Sequence, residues 1–279
     1  MAVSENLLLE KFEALYGGQR PLYLACAPGR VNLIRRVVDK MAVILPFEVD
    51  FYRRYGMEVH FVGHPLLDVV KPHLDRATFC KLVNLDPERP LLGLFPGSRL
   101  QEVKTLFPVF REAYLRLKEE FPALQGVVVR AEGLSEGFYQ PLAPDLHLVT
   151  GYQYEVMNQS EVVLLASGTV TLEAAIVGVP MVVAYRVPKI TYFLARRLVK
   201  VPYISLVNLI AEEELVREFL QEEASAENLA QEASRFLSHP EESRLLRERL
   251  ALLKGRLGSP GVAWRVAELA LEFARQTIR

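Results

Sequence analysis

Cysteine is scarce in this sequence. Cys26 and Cys80 are the two among 279 residues, and no CxxC spacing joins them, which excludes a disulfide framework and a cysteine-built zinc site. Surplus charge is missing too, with 33 Lys and Arg against 34 Asp and Glu. That balance excludes a whole-surface attraction to nucleic acid and leaves room only for a local basic patch. The histidines His60, His64, His73, His147 and His239 show no ligand spacing such as HExxH, so nothing points to a metal. There is no GxxxxGK[ST], which argues against a P-loop triphosphate site, and no GxGxxG, so the dinucleotide fingerprint is absent. Internal repeats and low-complexity tracts are also lacking. The opening MAVSENLLLEKFEAL is polar and acidic where an export signal would be basic and then apolar, so the expected location is the cytoplasm.

One apolar run approaches the roughly 20 residues that a bilayer span requires. It is LLASGTVTLEAAIVGVPMVVAY, residues 164 to 185, and Glu173 sits in its middle. Ser167, Gly168, Thr169, Gly178 and Pro180 divide it further. The pieces read as a strand over Val162 to Ala166, a Ser167-Gly168-Thr169 turn, a helix over Val170 to Val177, a stop at Gly178 and a strand over Met181 to Tyr185. Such strand-turn-helix-strand units build parallel sheets.

What is present is a globular composition, 51% hydrophobic and 24% charged, enough for one or two ordinary cores. Short strands at PLYLAC, MAVIL and VHFVG alternate with helical RVNLIRRVVD and FEVDFYRRYG up to Gly63-His64-Pro65. The alternation restarts with strands at Leu91 to Phe95, Val127 to Arg130, Leu146 to Val149, Val162 to Ala166 and Met181 to Tyr185, a doubly wound α/β pattern. After about Ala211 the chain reads as helical and charged. The expected organisation is a partial N-terminal α/β domain over 1–63, a complete Rossmann-like domain over 64–240, and C-terminal helices over 241–279 that pack back toward the N-terminal part. The first block falls short of the about 100 residues that an independent α/β domain commonly needs. It therefore needs the C-terminal helices, or another chain, to close its core.

Ligands of open α/β sheets lie beyond the carboxyl ends of strands, where helix N-termini offer free N–H groups and a partial positive charge. Two turns suit an anion. After LLGLF comes Pro96-Gly97-Ser98-Arg99, in which Gly97 permits close backbone approach, Ser98 donates a hydrogen bond and Arg99 grips phosphate oxygens bidentately. After Ala166 comes Ser167-Gly168-Thr169, with two hydroxyls, and Glu173 one turn further along can accept hydrogen bonds from sugar hydroxyls. Either turn alone is ordinary cap chemistry; the pair suggests a nucleotide sugar.

The series LPFEVDFYRRYG, FVGHPLLD, PGSRLQEV, LLASGTVTLEAAIVGVPMVVAYRV, ARRLVKVPYISLVNLIA and EFLQEE resembles lipid-A-disaccharide synthase, a family of B-type glycosyltransferases, from about Met41 to Leu220. The resemblance implies inverting transfer from UDP-2,3-diacylglucosamine to 2,3-diacylglucosamine 1-phosphate, giving lipid A disaccharide 1-phosphate and UDP without a metal or other cofactor. It assigns Arg99, the Ser167-Gly168-Thr169 turn with Glu173, and Asn208 of SLVNL to the donor site, with Arg99 and Asn208 in catalytic roles. Val207 departs from the proline usual before that asparagine. The family's Gly-rich opening, the acidic motif with its presumed general base, and its tryptophans before LPFE have no counterpart here, so the acceptor half reads as truncated. Asp39, Glu48 and Asp50 are nearby acids that read better as helix-end or surface charges, and the general base stays unassigned. The alternative is a catalytically silent UDP-binding remnant, or a subunit needing a separate acceptor-domain partner; a homodimer is a further possibility. A related transferase or epimerase using another UDP-sugar is a third reading.

His64 reads as a hinge or as a ligand-facing corner. KITYFLARRLVKVPY combines apolar residues with Arg196, Arg197 and Lys200, which suits either an anionic inner-membrane surface or a solvated basic face. Trp264 recurs with Val262, Val266, Leu269 and Leu271 at near-helical spacing and is expected to pack.

Overall fold

The computed structural model describes residues 24–26, 40–187 and 202–277. The chain divides into two compact units, one comprising Met1–Pro65 with Leu257–Arg279 and the other Leu66–Arg256.

The larger unit holds a six-stranded, wholly parallel sheet. Its strands are β4 (Leu91–Phe95), β5 (Gln125–Arg130), β6 (Leu146–Thr150), β7 (Val162–Ala166), β8 (Met181–Tyr185) and β9 (Glu218–Leu220). The order is β6-β5-β4-β7-β8-β9. The central strands LLGLF and VVLLA are buried at every position, as expected of strands covered on both faces. The chain steps outward from β4 through β5 to β6, then crosses back to β7 and steps outward the other way. The reversal falls between the neighbours β4 and β7, where ligands of such sheets bind.

The described α-helices of this unit are α2 (Leu66–Val69), α3 (Arg76–Val83), α4 (Leu100–Glu120), α5 (Gln153–Gln159), α6 (Thr169–Val177), α7 (Leu206–Ala211), α8 (Ala226–Ser238) and α9 (Pro240–Arg256). Helix α4 buries Val103, Leu106, Phe107, Phe110, Ala113, Tyr114 and Leu117, a 3.6-residue stripe that covers the sheet. Ser234 of α8 donates to both carboxylate oxygens of Glu120 at 2.8 and 2.9 Å, tying α8 to the end of α4. Gly178 ends α6 in the left-handed region at φ +86°, a conformation that glycine adopts without a Cβ penalty. The run from 164 to 185 is thus strand, turn, helix and strand; no described helix is long and apolar enough to cross a membrane.

The smaller unit contains β1 (Leu24–Cys26), β2 (Lys40–Val43) and β3 (Glu58–Phe61) in a parallel sheet of order β1-β2-β3, with α1 (Pro46–Arg53) between β2 and β3. Its last element is α10 (Val262–Thr277). Arg265 of α10 donates through Nε to Val62 O at 2.8 Å and through its terminal nitrogens to Ser259 and Pro260. One guanidinium therefore joins the end of β3 to the turn before α10.

Three expectations change. The block 241–279 divides: α9 inserts Leu246, Leu250 and Leu253 into the core of the larger unit, while α10 belongs to the smaller one. The stretch after Ala211, read as helical, contains the sixth strand, because the three residues of β9 are enough to pair with β8. Trp264 does not pack; it is 70% exposed, and Leu271 on the same helix is 59% exposed.

Candidate active site

Phe95 of β4 and Leu165 of β7 are register partners, on strands that run parallel about 4.8 Å apart. The chain therefore leaves both strands at the same edge of the sheet, into Pro96–Arg99 on one side and Ser167–Thr169 on the other. The two turns singled out in the sequence are neighbours across the topological reversal.

Their helix starts differ. Helix α6 begins after Gly168, whose backbone is extended and which supplies no side-chain cap. The Gly168 carbonyl accepts from Thr171 N at 3.2 Å and from Thr171 Oγ1 at 2.8 Å. Ser167 N donates back to Ala184 O at 2.9 Å, which pins the turn to β8. Gly168 and Thr169 are exposed and Ser167 is half-buried. The start of α6 is thus exposed at the positive end of the helix dipole, the kind of helix start that binds phosphate. At α4 the corresponding position is already occupied by the chain itself. Glu102, the third helical residue, accepts from Ser98 N at 3.1 Å and Arg99 N at 3.2 Å through Oε2, and from Arg99 Nη1 at 3.2 Å through Oε1. Gly97 turns at φ +118°, and a Cβ there would lie 2.5 Å from Glu102 Oε2, so the corner requires glycine. The Arg99 side chain is 83% exposed and keeps most of its donors for a ligand.

Glu173, in the second turn of α6, is half-buried and makes no hydrogen bond or ion pair among the described residues. Burial pushes its carboxyl pKa above the ordinary value. Across from it on α5, the Tyr154 hydroxyl is raised by burial and secondarily by the Glu173 charge. A desolvated carboxylate without a partner among the described residues, beside an exposed helix start, is the pattern of a binding group.

Asn208 sits differently from the contact role that the resemblance assigns. It is fully buried at 0% exposure. Its Nδ2 donates to Val216 O at 2.7 Å and Glu218 Oε1 at 2.8 Å, and its Oδ1 accepts from Val216 N at 2.9 Å. Both amide hydrogens are spent inside the protein. Glu218 also accepts from Ile204 N, Ser205 N and Ser205 Oγ at 2.8, 2.9 and 2.6 Å. Asn208 and Glu218 together stitch α7 to β9. Sequence reasoning missed Glu218, whose signal was its place in EFLQEE beside the asparagine segment.

His64 belongs to the smaller unit and is 5% exposed; its backbone N–H donates to Leu257 O at 2.9 Å, and burial lowers its imidazole pKa. Glu48 is buried and accepts from Leu45 N at 3.1 Å at the start of α1, while Asp50 is exposed. Asp39, Arg196, Arg197 and Lys200 lie outside the described residues. Among the described residues no group of three or more His, Cys, Asp or Glu side chains is placed to hold a metal ion.

Comparison with known proteins gives this geometry its context. The family described as lipid-A-disaccharide synthetase matches residues 21–256. A lipid-A-disaccharide synthase from Geobacter sulfurreducens is 41% identical over 277 residues, covering 96% of this chain and 72% of the relative. The chain belongs to the lipid-A-disaccharide synthetase family. It is accordingly a glycosyltransferase with the B-type fold. A glycosyltransferase from Rickettsia africae aligns with a TM-score of 0.60 at 11% identity, covering all of this chain and 84% of that structure. A UDP-GlcNAc 2-epimerase from Neisseria meningitidis, solved with UDP-GlcNAc bound, aligns with a TM-score of 0.57 at 13% identity, covering 86% and 63%. At such identities these two likenesses concern the fold alone. For the family, the open α6 start and the exposed Arg99 are the features of this chain that suit a nucleotide sugar.

Proposed function

We propose that this chain binds UDP-2,3-diacylglucosamine with its diphosphate at the start of α6 and beneath Arg99, and transfers the diacylglucosamine unit, with inversion, to 2,3-diacylglucosamine 1-phosphate. The products are lipid A disaccharide 1-phosphate and UDP. The observation that carries the reading is the Phe95–Leu165 register, which brings the two anion-suited turns to one edge. Charge on the departing UDP is stabilised by the α6 amides and dipole, the Ser167 and Thr169 hydroxyls and the Arg99 guanidinium, donors held in place before the reaction begins. Gly97 and Ser98 shape the second wall, and the Glu173 carboxylate accepts hydrogen bonds from the sugar hydroxyls. In this reading the departure of UDP relies on these protein groups without a metal. Asn208 holds the α7–β9 junction together and bears on the stability of the unit rather than on the bound nucleotide. The sugar acceptor comes from a membrane lipid, so the reaction belongs at the cytoplasmic face of the inner membrane, with Arg196, Arg197 and Lys200 as the contacts; anionic vesicles that fail to retain the protein would exclude that contact.

Isothermal titration with UDP is the direct test of the donor site. Absence of heat at millimolar ligand, with the Arg99→Ala variant behaving identically, would sink it. A second reading, a donor-site subunit that works with a separate acceptor-bearing partner, is favoured by the exposed Trp264 and Leu271 on α10, apolar surface that a partner would cover. Incubating the purified chain with both lipid substrates and following disaccharide by mass spectrometry separates the two. Product from the chain alone excludes the second.

A further inference from the structure

We propose that Glu102 is a positioning residue of the donor site, holding the Arg99 guanidinium in the orientation that meets the diphosphate. The inference rests on the reading that UDP binds at Arg99. Arg99 leaves β4 by way of a left-handed glycine and stands 83% exposed, where an unrestrained guanidinium on a long stem samples many rotamers. Ordering such a side chain on binding lowers affinity, and restraint beforehand recovers it. The one described restraint on its head is the Nη1 to Glu102 Oε1 bond of 3.2 Å. Glu102 is itself fixed, because Oε2 accepts from Ser98 N and Arg99 N and its carboxylate packs against the bare Cα of Gly97.

The bonds divide the work between the two oxygens. Oε2 shapes the backbone corner, and an amide oxygen in the same place would accept the same two N–H groups. Oε1 holds Arg99, which a glutamine NH2 cannot do, since two donors face each other there. Glu102→Gln therefore separates positioning from capping. Nη1 is engaged by Glu102, while Nε and Nη2 make no hydrogen bond among the described residues and are left for phosphate oxygens. Opposing this, Glu102 adds a negative charge beside an anionic ligand, and it is solvent that weakens that repulsion, since the Arg99 side of the pair is open to water.

The test is UDP titration of the wild-type chain, Glu102→Gln, Arg99→Ala and the double variant, each with its melting temperature. Glu102→Gln is expected to melt close to wild type yet bind UDP about tenfold more weakly, the scale of one charge-assisted contact. On the Arg99→Ala background it is expected to add no further loss, because a residue acting through Arg99 has nothing left to act on. Equal or tighter binding by Glu102→Gln would overturn the proposal and mark the carboxylate as a cap or a competitor for the anion. A loss that persists in the double variant would overturn it too. Silence of the wild-type chain toward UDP is a different failure, and it removes the donor-site reading itself.

Discussion

Phe95 and Leu165 face each other in the ladder of two parallel strands, and that pairing puts the two turns of the proposed donor site side by side. Four residues beyond Phe95 stands Arg99, and three beyond Leu165 stands Gly168. Arg99→Ala removes a guanidinium that is mostly in water, its side chain 83% exposed, so the fold should be unaffected. A charge-assisted hydrogen bond is worth about 1.5 to 3 kcal/mol, and UDP affinity should accordingly fall by one to two orders of magnitude. Titration calorimetry reads the loss, and an unchanged melting curve confirms that it is local.

Gly97 should tolerate nothing larger. An alanine there meets both a φ of +118° and a Cβ 2.5 Å from the Glu102 carboxylate, and a non-glycine residue in a disfavoured region costs about 1 to 3 kcal/mol. The added Cβ would also lie 2.6 Å from Glu102 Cβ, so rotating the carboxylate is not enough; the start of α4 must shift, which moves Glu102 and releases Arg99 as well. Gly97→Ala is expected to lower both the melting temperature and the affinity for UDP, whereas Arg99→Ala lowers affinity alone. A Gly97→Ala protein that binds UDP like wild type would show that the corner is not part of the site.

Asn208 separates stability from binding in the opposite sense. Asn208→Ala strands the buried N–H and C=O of Val216 and one partner of Glu218. Each unsatisfied buried group costs about 1 to 3 kcal/mol, and a unit of this size melts about 2 to 4 °C lower per kcal/mol lost. A fall of several degrees is expected, with UDP affinity measured below the melting range changed little. A large affinity loss at unchanged stability would return Asn208 to a ligand-contact role.

How much of this was legible in the sequence depends on the range of the interaction concerned. Strands such as LLGLF and VVLLA declare themselves because burial on both faces leaves no polar position, and the turns after them carry their own glycine and cap residues. The β9 strand does not, since its three residues open with Glu218, sit between Arg217 and Gln221, and become a strand only by pairing with Val183, Ala184 and Tyr185 of β8. Asn208 and Glu218 are ten residues apart and meet through a fold-dependent contact, so neither predicts the other. Glu102 was readable in principle, as an acid three places after a helix start is the mark of a capping box. What sequence could not show is that the same carboxylate also reaches the arginine. Trp264 illustrates the converse: helical spacing of apolar residues gives a face and says nothing about what covers it.

The last prediction concerns pH. Burial holds the Glu173 carboxyl above its ordinary value in the folded chain. The folded state therefore binds that proton more readily than the unfolded state, and by linkage stability falls as pH rises from the ordinary carboxylate value through the raised one. Above the raised value the whole penalty is present, and below the ordinary value none of it is. Glu173→Gln removes the titration, so the variant should melt higher than wild type at neutral pH, and the advantage should vanish in buffer acidic enough to protonate the wild-type residue in both states. The same substitution should weaken UDP or UDP-sugar binding by about fivefold, because a neutral amide accepts a sugar hydroxyl less strongly than a carboxylate does. Melting curves across the acid range, paired with titrations at neutral pH, check both halves. A variant that is neither more stable nor weaker in binding would mean that Glu173 is an ordinary solvated carboxylate with no part in the site.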